Sequence, residues 1–276
     1  MPDDMHSQGI GTLAATLWAE LVGESWSWAE REPMLQPWLE RAILGRRNFA
    51  DALARLIGDK LGGPALMAGA LEELVAAVLD RDRTILRSAD ADLRAHRDRN
   101  PSCPDLATPF LFFKGFQALQ CHRIAHRLWR DDRRALALLL QSRSSEIFGV
   151  DIHPGARIGC GVFIDHATSI VIGETAVVGD DVSILHEVTL GGTGKESGDR
   201  HPKIAARVLI GAGAKVLGNI TVGIGAKIGA GSVVLDPVPP HATVAGVPAR
   251  VVGRCTSMAP ALDMDHSLPH FIGAGI

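Results

Sequence analysis

The sequence has no tyrosine, and aromatic residues make up only 5% of its 276 residues. Cysteine is also scarce, and no Cys-x-x-Cys pair occurs among the four cysteines: Cys103, Cys121, Cys160 and Cys255. A disulfide framework and a cysteine-rich zinc site of the usual spacing are therefore excluded. Scattered single cysteines of this kind are typical of reduced thiols, so the sequence predicts a cytoplasmic protein.

An excess of charge of one sign and long apolar runs are lacking as well. There are 28 basic and 31 acidic residues, a net charge of −3, which argues against nucleic-acid binding by bulk charge. No apolar run approaches the ~18 residues that a membrane span requires. The N-terminus is acidic where a secretion signal would be basic. With 46% hydrophobic and 21% charged residues, the composition is typical of a globular protein without nucleic-acid or membrane partners.

The first half of the chain has a helical pattern. All five tryptophans precede residue 150, and apolar residues recur at three- and four-residue steps within 71–79 and 110–129. Prolines interrupt these stretches and predict helix boundaries, with Thr108 as an N-cap and Pro109 as the first helical residue. We predict an all-helical domain over residues 1–146, with about six to eight helices of ordinary length.

From Asp151 onward the pattern has a period of six. Steps of six residues from Ile152 to Val188, and again from Ile204 to Val234, give thirteen positions, of which twelve are Ile or Val. A fixed short period is the signature of a solenoid. In a parallel β-helix each six-residue unit is a short strand and a turn, and one β-branched side chain per strand points inward. An ordinary β-sandwich with coincidental spacing is the alternative.

The repeat is interrupted once. Val188 and Ile204 are sixteen residues apart, so about ten residues are expected to leave the coil as a loop over 191–202. Loops ejected from a solenoid often carry function. Glycines in this loop do not form a Walker phosphate loop, because the GxxxxGK[ST] spacing is missing. We predict an α+β protein with segregated domains, with the β-helix over 147–253 and a flexible tail over 254–276.

These segments resemble those of the serine acetyltransferases, a family of hexapeptide-repeat acyltransferases. The resemblance spans nearly the whole chain, and its most specific parts are the helical segment 108–120, Asp-His-Ala-Thr at 165–168 and Asp-Arg-His-Pro at 199–202. It implies a left-handed parallel β-helix, although general crossover chirality would favour the opposite hand. It also implies acetyl transfer from acetyl-CoA to L-serine, giving O-acetyl-L-serine and CoA in the first step of cysteine biosynthesis.

The resemblance assigns two residues to catalysis. His166 is implied as the general base that takes the proton of the serine hydroxyl, a task that suits an imidazole titrating near neutral pH. Asp151 is implied as the carboxylate that fixes the tautomer of this imidazole. No acyl-enzyme and no metal are expected.

Four further residues are implied at the serine site. Arg200 is expected to hold the substrate carboxylate with its guanidinium fork, while His201 assists and Asp165 contacts the ammonium group. Asn100 departs from the family pattern, in which an aspartate of the neighbouring helical domain faces that ammonium. Because Asn100 lacks the negative charge, we expect weaker binding of L-serine and of L-cysteine, the expected feedback inhibitor.

The resemblance also implies the site of acetyl-CoA. Small or short residues are expected to line the pantetheine groove between subunits: Gly192, Thr193, Ala212 and Ala230. Basic residues are candidates for the CoA phosphates: Lys195, Lys215, Lys227 and Arg250. His153 and His186 are interpreted as structural.

Assembly and partner binding are further expectations. Flat β-helix faces favour a homotrimer with sites between subunits, and the family pattern implies a hexamer joined through the helical domains. The terminal Ile276 is implied to dock in the active site of O-acetylserine sulfhydrylase, since a free carboxylate on a glycine-rich tail suits a carboxylate-binding cleft.

Three alternatives remain at this point. The first is another hexapeptide acetyltransferase, acting on a sugar, homoserine or an antibiotic. The second is a zinc hydratase on the same β-helix, although the histidines His153, His166, His186 and His201 do not supply a close pair of ligands. The third is a scaffold for a partner enzyme, to which catalysis would be incidental.

Overall fold

The chain folds into a helical half followed by a parallel β-helix of about five coils, which confirms the expected fold class. This computed structural model describes residues 4–64, 66–194 and 197–268, and side chains from residue 16 onward. Lys195 and Ile276 therefore lie outside the described residues. Among those residues, no helix is both long and apolar enough to span a lipid bilayer.

Eight α-helices precede the β-helix in the described part of the chain. They are α1 (Asp4–Arg31), α2 (Gln36–Leu39), α3 (Phe49–Leu61), α4 (Ala68–Arg81), α5 (Thr84–Arg99), α6 (Ala107–Phe112), α7 (Lys114–Arg130) and α8 (Arg134–Phe148). A 3₁₀ turn (Pro33–Leu35) precedes α2, and a π-helical turn (Glu40–Leu44) follows it.

The start of α6 differs from the sequence prediction. The helix begins at Ala107, so Thr108 lies inside its first turn and is not the N-cap. The carboxylate of Asp105 accepts the Thr108 N–H at 2.8 Å and so satisfies one of the free donors at this helix end.

Helix α7 is the centre of the helical half. Most of its side chains are buried, among them the fully buried Phe116, Leu119 and Ile124. It packs against α4, α5 and α8 on one side and against the first coil of the β-helix on the other. This helix therefore connects the core of the helical half with the part of the β-helix that carries His166.

Gly149 marks the junction between the two halves. It ends α8 with a φ of 66°, in the left-handed region that glycine adopts without steric cost. The last residue of α8 is Phe148 and the first strand begins at Val150, so the helical half and the β-helix meet at Gly149.

The β-helix has three sheets, one for each face of the triangular coil. The first contains β1 (Val150–Ile152), β4 (Ile170–Ile172), β7 (Thr189–Gly191), β10 (Lys215–Leu217) and β13 (Val233–Val234). The second contains β2 (Arg157–Ile158), β5 (Val177–Val178), β8 (Lys203–Ile204) and β11 (Thr221–Val222). The third contains β3 (Phe163–Ile164), β6 (Ser183–Ile184), β9 (Leu209–Ile210), β12 (Lys227–Ile228), β14 (Ala242–Gly246) and β15 (Ala249–Arg254).

The register of the strands corrects the six-residue count. Ile152 pairs with Ile172, twenty residues later, whereas Ile172 pairs with Leu190 after eighteen. The first coil therefore has two extra residues, and they lie between Ile164 and Ile172. Leu190 and Ile204 occupy successive inward positions, so the later loop adds eight residues to the coil and not ten. Ile170 is still buried, although the inward position that corresponds to Ile152 is Ile172. Each unit of the coil buries a second side chain two residues before that inward position.

A buried ion pair connects the helices to the first coil. Asp92 of α5, with no exposed surface, accepts hydrogen bonds from Arg123 of α7 at 2.8 and 3.0 Å and from the Val162 N–H at 3.0 Å. Arg123 also donates to the carbonyl of Gly159 at 2.6 Å. Because removal of one partner would leave a charge buried and unpaired, this contact fixes the orientation of α5 and α7 on the β-helix.

The segment after the β-helix is packed as far as it is described, unlike the flexible tail expected from residue 254. A short helix, α9 (Pro260–Asp263), buries Ala261 completely, and its Ala261 carbonyl accepts the Ser183 hydroxyl at 2.7 Å. The six-residue pattern does not continue into this segment, but burial of Pro260 and Ala261 holds it against the β-helix.

Candidate active site

His166 lies in the two-residue extension of the first coil. This turn joins β3 to β4, and three of its residues have positive φ: His166 at 55°, Ala167 at 61° and Ser169 at 63°. None of them is glycine, so the left-handed conformation costs about 1 kcal/mol or more at each. Two backbone hydrogen bonds compensate: Ser169 N–H donates to the Gly149 carbonyl at the end of α8 at 2.8 Å, and Glu187 N–H of the next coil donates to the Thr168 carbonyl at 2.7 Å. The extension lifts the His166 side chain out of the coil, where it is 73% exposed.

Two side chains lie beside the His166 ring. The carboxylate of Asp165 is 3.6 Å from His166 Nε2, so it can stabilise an imidazolium that forms during turnover. The ring of His186 meets the His166 ring edge to face, with centroids 5.8 Å apart. His186 Nδ1 is buried and has no hydrogen-bond partner in the described part of the chain.

The expected dyad is not closed in this structure. Asp151 lies on the outer side of β1, where its carboxylate accepts Gln141 Nε2 at 2.6 Å. No hydrogen bond joins Asp151 to His166 within the described residues, and the carboxylate nearest to the His166 ring is that of Asp165. Sequence separation could not reveal this, because α8 brings Gln141 to β1 only in the folded chain.

His166 is the first residue, in chain order, of a column of residues on one corner of the β-helix. Ile164, Ile184, Ile210 and Ile228 pair in successive coils, and the residues two positions later share that corner: His166, His186, Ala212 and Ala230. Hydrogen bonds from Gly213 N–H to His186 O at 2.9 Å and from Gly231 N–H to Ala212 O at 2.8 Å connect the coils there. The column thus runs from an exposed imidazole to two small residues that leave the backbone accessible.

His201, on the ejected loop, is held in one tautomer. Its Nδ1 accepts the Thr175 N–H at 3.2 Å and the Thr175 hydroxyl at 2.9 Å, so the proton of the neutral ring is on Nε2. Burial lowers the pKa of His201, and the charges of Arg200 and Lys203 lower it further. The ring packs so tightly on Gly173 that a Cβ there would overlap it. His201 is therefore a fixed N–H donor at neutral pH.

Arg200 already has an anionic partner. Its guanidinium donates to Glu174 Oε2 at 2.8 Å, and this hydrogen bond is the main reason that the pKa of Glu174 is lowered. Arg200 is thus paired with a carboxylate from the coil, in the manner expected for a substrate carboxylate.

The expected cofactor residues are divided in the structure. A Cβ at Gly192 would lie 3.4 Å from Arg200, and a Cβ at Gly218 would lie 3.4 Å from Thr193, so Gly192 and Thr193 are both at the base of the ejected loop. Lys227 is different, because it is only 6% exposed and donates to the carbonyls of Asp265 and Ser267. In this structure the packed C-terminal segment therefore takes the donors of Lys227, and its assignment to the CoA phosphates stays a prediction.

Asn100 follows the last residue of α5. Its Oδ1 accepts both the N–H of Ser102, at 3.0 Å, and the hydroxyl of Ser102, at 2.7 Å. Within the single chain, the Asn100 side chain makes hydrogen bonds with Ser102 and none with Asp165 or His166, among the residues described. The nearby Asp98 carboxylate accepts Arg97 Nε at 2.9 Å, so it already has a cationic partner.

Sequence reasoning missed three residues of the site. Glu174 and Thr175 hold Arg200 and His201, and the Thr175 hydroxyl also accepts both of their N–H groups at 3.1 Å. They occupy an ordinary turn of the repeat, so no local pattern distinguishes them. The sequence predicts a structural role for His186, and only the strand register shows that it shares the corner of His166. No group of three or more histidine, cysteine or acidic side chains in the described ranges is arranged to hold a metal ion.

This chain is similar to known proteins over nearly its whole length. Residues 17–121 match the family model described as "Serine acetyltransferase, N-terminal". The serine acetyltransferase of Salmonella typhimurium is 53% identical over 257 residues, which cover 93% of this chain and 93% of that protein. This similarity includes the helical half, the β-helix and the ejected loop.

Solved structures with bound ligands are similar as well. A serine acetyltransferase in complex with cysteine has a TM-score of 0.91 and 49% identity, covering 93% of this chain and 100% of that one. The Brucella abortus enzyme in complex with coenzyme A has a TM-score of 0.85 and 48% identity, covering 87% and 96%. The soybean enzyme in complex with serine has a TM-score of 0.85 and 51% identity, covering 87% and 99%.

Proposed function

Because the chain belongs to the serine acetyltransferase family and transfers the acetyl group of acetyl-CoA to L-serine, we propose that His166 is the general base of this reaction. A serine hydroxyl is a poor nucleophile at neutral pH, so a base must take its proton as the new bond forms. The observation that carries the assignment is the two-residue extension of the first coil, which exposes the His166 imidazole beside Asp165. An imidazole in that position can accept the proton and be stabilised while it is charged.

The proposed reaction has one tetrahedral intermediate. Serine Oγ attacks the carbonyl carbon of the thioester while its proton moves to His166. Collapse of the intermediate breaks the C–S bond, and His166 returns the proton to the sulfur of CoA. Asp151 is the proposed partner that orients the imidazole. For this role Asp151 exchanges its hydrogen bond from Gln141 for one from His166.

The serine site combines the ejected loop with the coil. We propose that Arg200 binds the substrate carboxylate. Its guanidinium group can form two hydrogen bonds with that carboxylate in place of its bond with Glu174. His201 supplies a fixed N–H donor, and Asp165 attracts the ammonium group. Asn100 contributes a neutral amide from the neighbouring subunit. L-cysteine shares the carboxylate and ammonium groups of L-serine, so the same contacts support competitive feedback inhibition.

Acetyl-CoA is proposed to lie along the corner column. Ala212 and Ala230 leave the backbone open to an extended pantetheine arm, and His186 stands between them and His166. Gly192 and Thr193 complete the groove from the base of the loop. This direction places the thioester end of the donor next to the base.

The assembly and the wider partners are proposals of the same kind. The three flat faces of the β-helix suit a homotrimer, and the helical halves would join two trimers into a hexamer. O-acetylserine sulfhydrylase is the proposed partner of Ile276, which lies outside the described residues. A cytoplasmic location is supported by four free cysteines.

The test is a thiol-release assay with acetyl-CoA and a panel of acceptors: L-serine, L-homoserine and an amino sugar. We expect turnover with L-serine at least a hundredfold faster than with the others, and no loss after treatment with a chelator. Equal rates with homoserine or a sugar would favour another hexapeptide acetyltransferase. Loss on chelation would favour a metal enzyme, and no turnover with any acceptor would favour a scaffold.

A further inference from the structure

The turn that carries His166 needs support from outside itself. Its three left-handed residues are stable only if the surroundings hold them, because each conformation is unfavourable for a residue with a side chain. Ser169 N–H donates to the carbonyl of Gly149 at the junction of α8 and β1, and the carbonyl of Thr168 accepts Glu187 N–H of the next coil. Within the turn, Thr168 N–H donates to the carbonyl of His166 at 2.7 Å.

The helical half supplies one further bond. Among the described residues, Lys114 at the start of α7 is the helical residue whose side chain hydrogen-bonds to this turn, and its Nζ lies 2.6 Å from Thr168 Oγ1. An ammonium group can only donate, so the Thr168 hydroxyl accepts from it. The Thr168 hydroxyl in turn lies 3.4 Å from the carbonyl oxygen of His166 and can donate to it. A chain of donors thus runs from Lys114 through Thr168 to the backbone of His166.

The charge of Lys114 is not paired with an acidic side chain among the described residues. No carboxylate in the described ranges forms an ion pair with Lys114, whereas Lys203 and Lys227 each have an acidic partner. A hydrogen bond from a charged donor is stronger than one between neutral groups. Such a bond can therefore offset part of the cost of a left-handed residue in the turn.

The position of Lys114 is fixed by its neighbour Gly115. Helix α7 approaches β3 so closely that a Cβ at Gly115 would overlap the carbonyl oxygen of Ile164. Ile164 lies two residues before His166, so the first turn of α7 rests directly on the chain that enters the catalytic turn. Lys114 then reaches Thr168 on the far side of His166, and the two contacts enclose it from both directions.

We propose that Lys114 is a positioning residue that acts on His166 through Thr168. Its ammonium holds the Thr168 hydroxyl, and this hydroxyl holds the His166 backbone in the conformation that presents the imidazole to serine. Because it acts through His166, this role rests on the proposed function of His166 as the base. A positioned group that shifts by about 1 Å can lose ~10²-fold in rate, so loss of the bond affects kcat more than binding.

The experiment compares Lys114→Met and Thr168→Val with the double variant in the full-length protein. We expect each single variant to lower kcat about tenfold and to change KM for serine and acetyl-CoA less than twofold. Because both remove the same bond, the double variant should be no slower than the slower single variant. Lys114→Arg and Thr168→Ser retain the donor and the hydroxyl, so they should recover most of the rate.

Lys60→Met is the matched control, since Lys60 is an exposed lysine of α3 in the same helical half. Unchanged kcat in both single variants, or losses that multiply in the double variant, would overturn the proposal. A higher KM for serine with kcat intact would overturn it too, because Lys114 would then contact the substrate itself. His166→Asn separates the two hypotheses: if that variant is active, the base is wrongly assigned, whereas an inactive His166→Asn with a wild-type Lys114→Met rejects the positioning role alone.

Discussion

The imidazole rings of His166 and His186 meet edge to face at 5.8 Å, one coil apart on the same corner of the β-helix. Only His166 belongs to the extended turn, and its side chain is far more exposed than that of His186. The two histidines are alike in chemistry but differ in backbone setting, so they form a natural matched pair for mutagenesis.

We expect His166→Asn to lower kcat by at least ~10²-fold, the usual contribution of a positioned general base. Binding of acetyl-CoA should remain, because the proposed groove lies on the later coils. His186→Asn, on the same corner but outside the extended turn, should lower kcat less than His166→Asn does. Steady-state kinetics and calorimetry with CoA measure these effects. More than half of the wild-type kcat in His166→Asn would show that another group is the base.

Asp151→Asn should slow turnover less than His166→Asn does. The imidazole would be present but less well oriented, while Asp165 would still stabilise its charged form. Gln141→Leu is the informative companion, because it frees the Asp151 carboxylate from its partner at 2.6 Å and should not slow the enzyme. Comparison of kcat for the two variants decides the issue, and a wild-type rate in Asp151→Asn would discard the dyad.

Asn100→Asp should tighten both L-serine and L-cysteine by roughly tenfold, since a charged hydrogen bond to an ammonium group contributes about 1.4 kcal/mol more than a neutral one. An aspartate can accept the same two bonds from Ser102, so the local turn should persist. The serine KM and the cysteine inhibition constant are the measurements.

Asp98→Asn tests whether a neighbouring carboxylate already supplies the charge near Asn100. Asp98 is paired with Arg97, so we expect this variant to leave both constants unchanged. If Asn100→Asp has no effect and Asp98→Asn weakens serine, Asp98 supplies the charge instead.

The buried His96 should make the protein sensitive to acid. Burial lowers the pKa of His96 from 6.5 to about 4, and its Nε2 has no hydrogen-bond partner among the described residues. Between these pH values the unfolded chain binds a proton that the folded chain does not, so stability falls as the pH decreases from 6.5 towards 4. One proton corresponds to ~1.4 kcal/mol per pH unit, or about 3 kcal/mol over this range.

His96→Leu should reduce the fall in melting temperature between pH 7 and pH 5. At pH 7 the side chain at position 96 is neutral in the wild type and in His96→Leu, so the two proteins should have similar melting temperatures. His241→Leu, which replaces a histidine of the β-helix, is the variant with which the melting temperatures of His96→Leu are compared. An unchanged acid sensitivity in His96→Leu would mean that other groups, such as the buried His122, cause it.

Deletion of Ile276 should abolish binding to O-acetylserine sulfhydrylase and leave acetyl transfer intact. The terminal carboxylate moves to Gly275 in that variant, and the aliphatic side chain that would accompany it is lost. Calorimetry with the sulfhydrylase and a thiol-release assay are the two measurements. Undiminished binding of the shortened chain would refute docking through Ile276.

The sequence by itself determined the architecture. The recurrence of Ile and Val at six-residue steps predicts a coil whose short strands stack, since that arrangement buries the recurring side chain of every unit. Apolar residues at three- and four-residue steps likewise predict α7, a central helix most of whose side chains are buried. Both are local, repetitive signals, and burial of apolar surface gives them a single solution.

Only the tertiary structure decided the details of the site. The two extra residues around His166 cannot be located by counting, because each unit buries two side chains and either set fits a six-residue step. The bond between Asp151 and Gln141 depends on how α8 lies against β1. The burial of Lys227 depends on a segment 40 residues later in the chain. The bond between Lys114 and Thr168 likewise joins residues 54 positions apart. Hydrogen bonds between single side chains have no period, so their partners are defined only once helices and coils have packed.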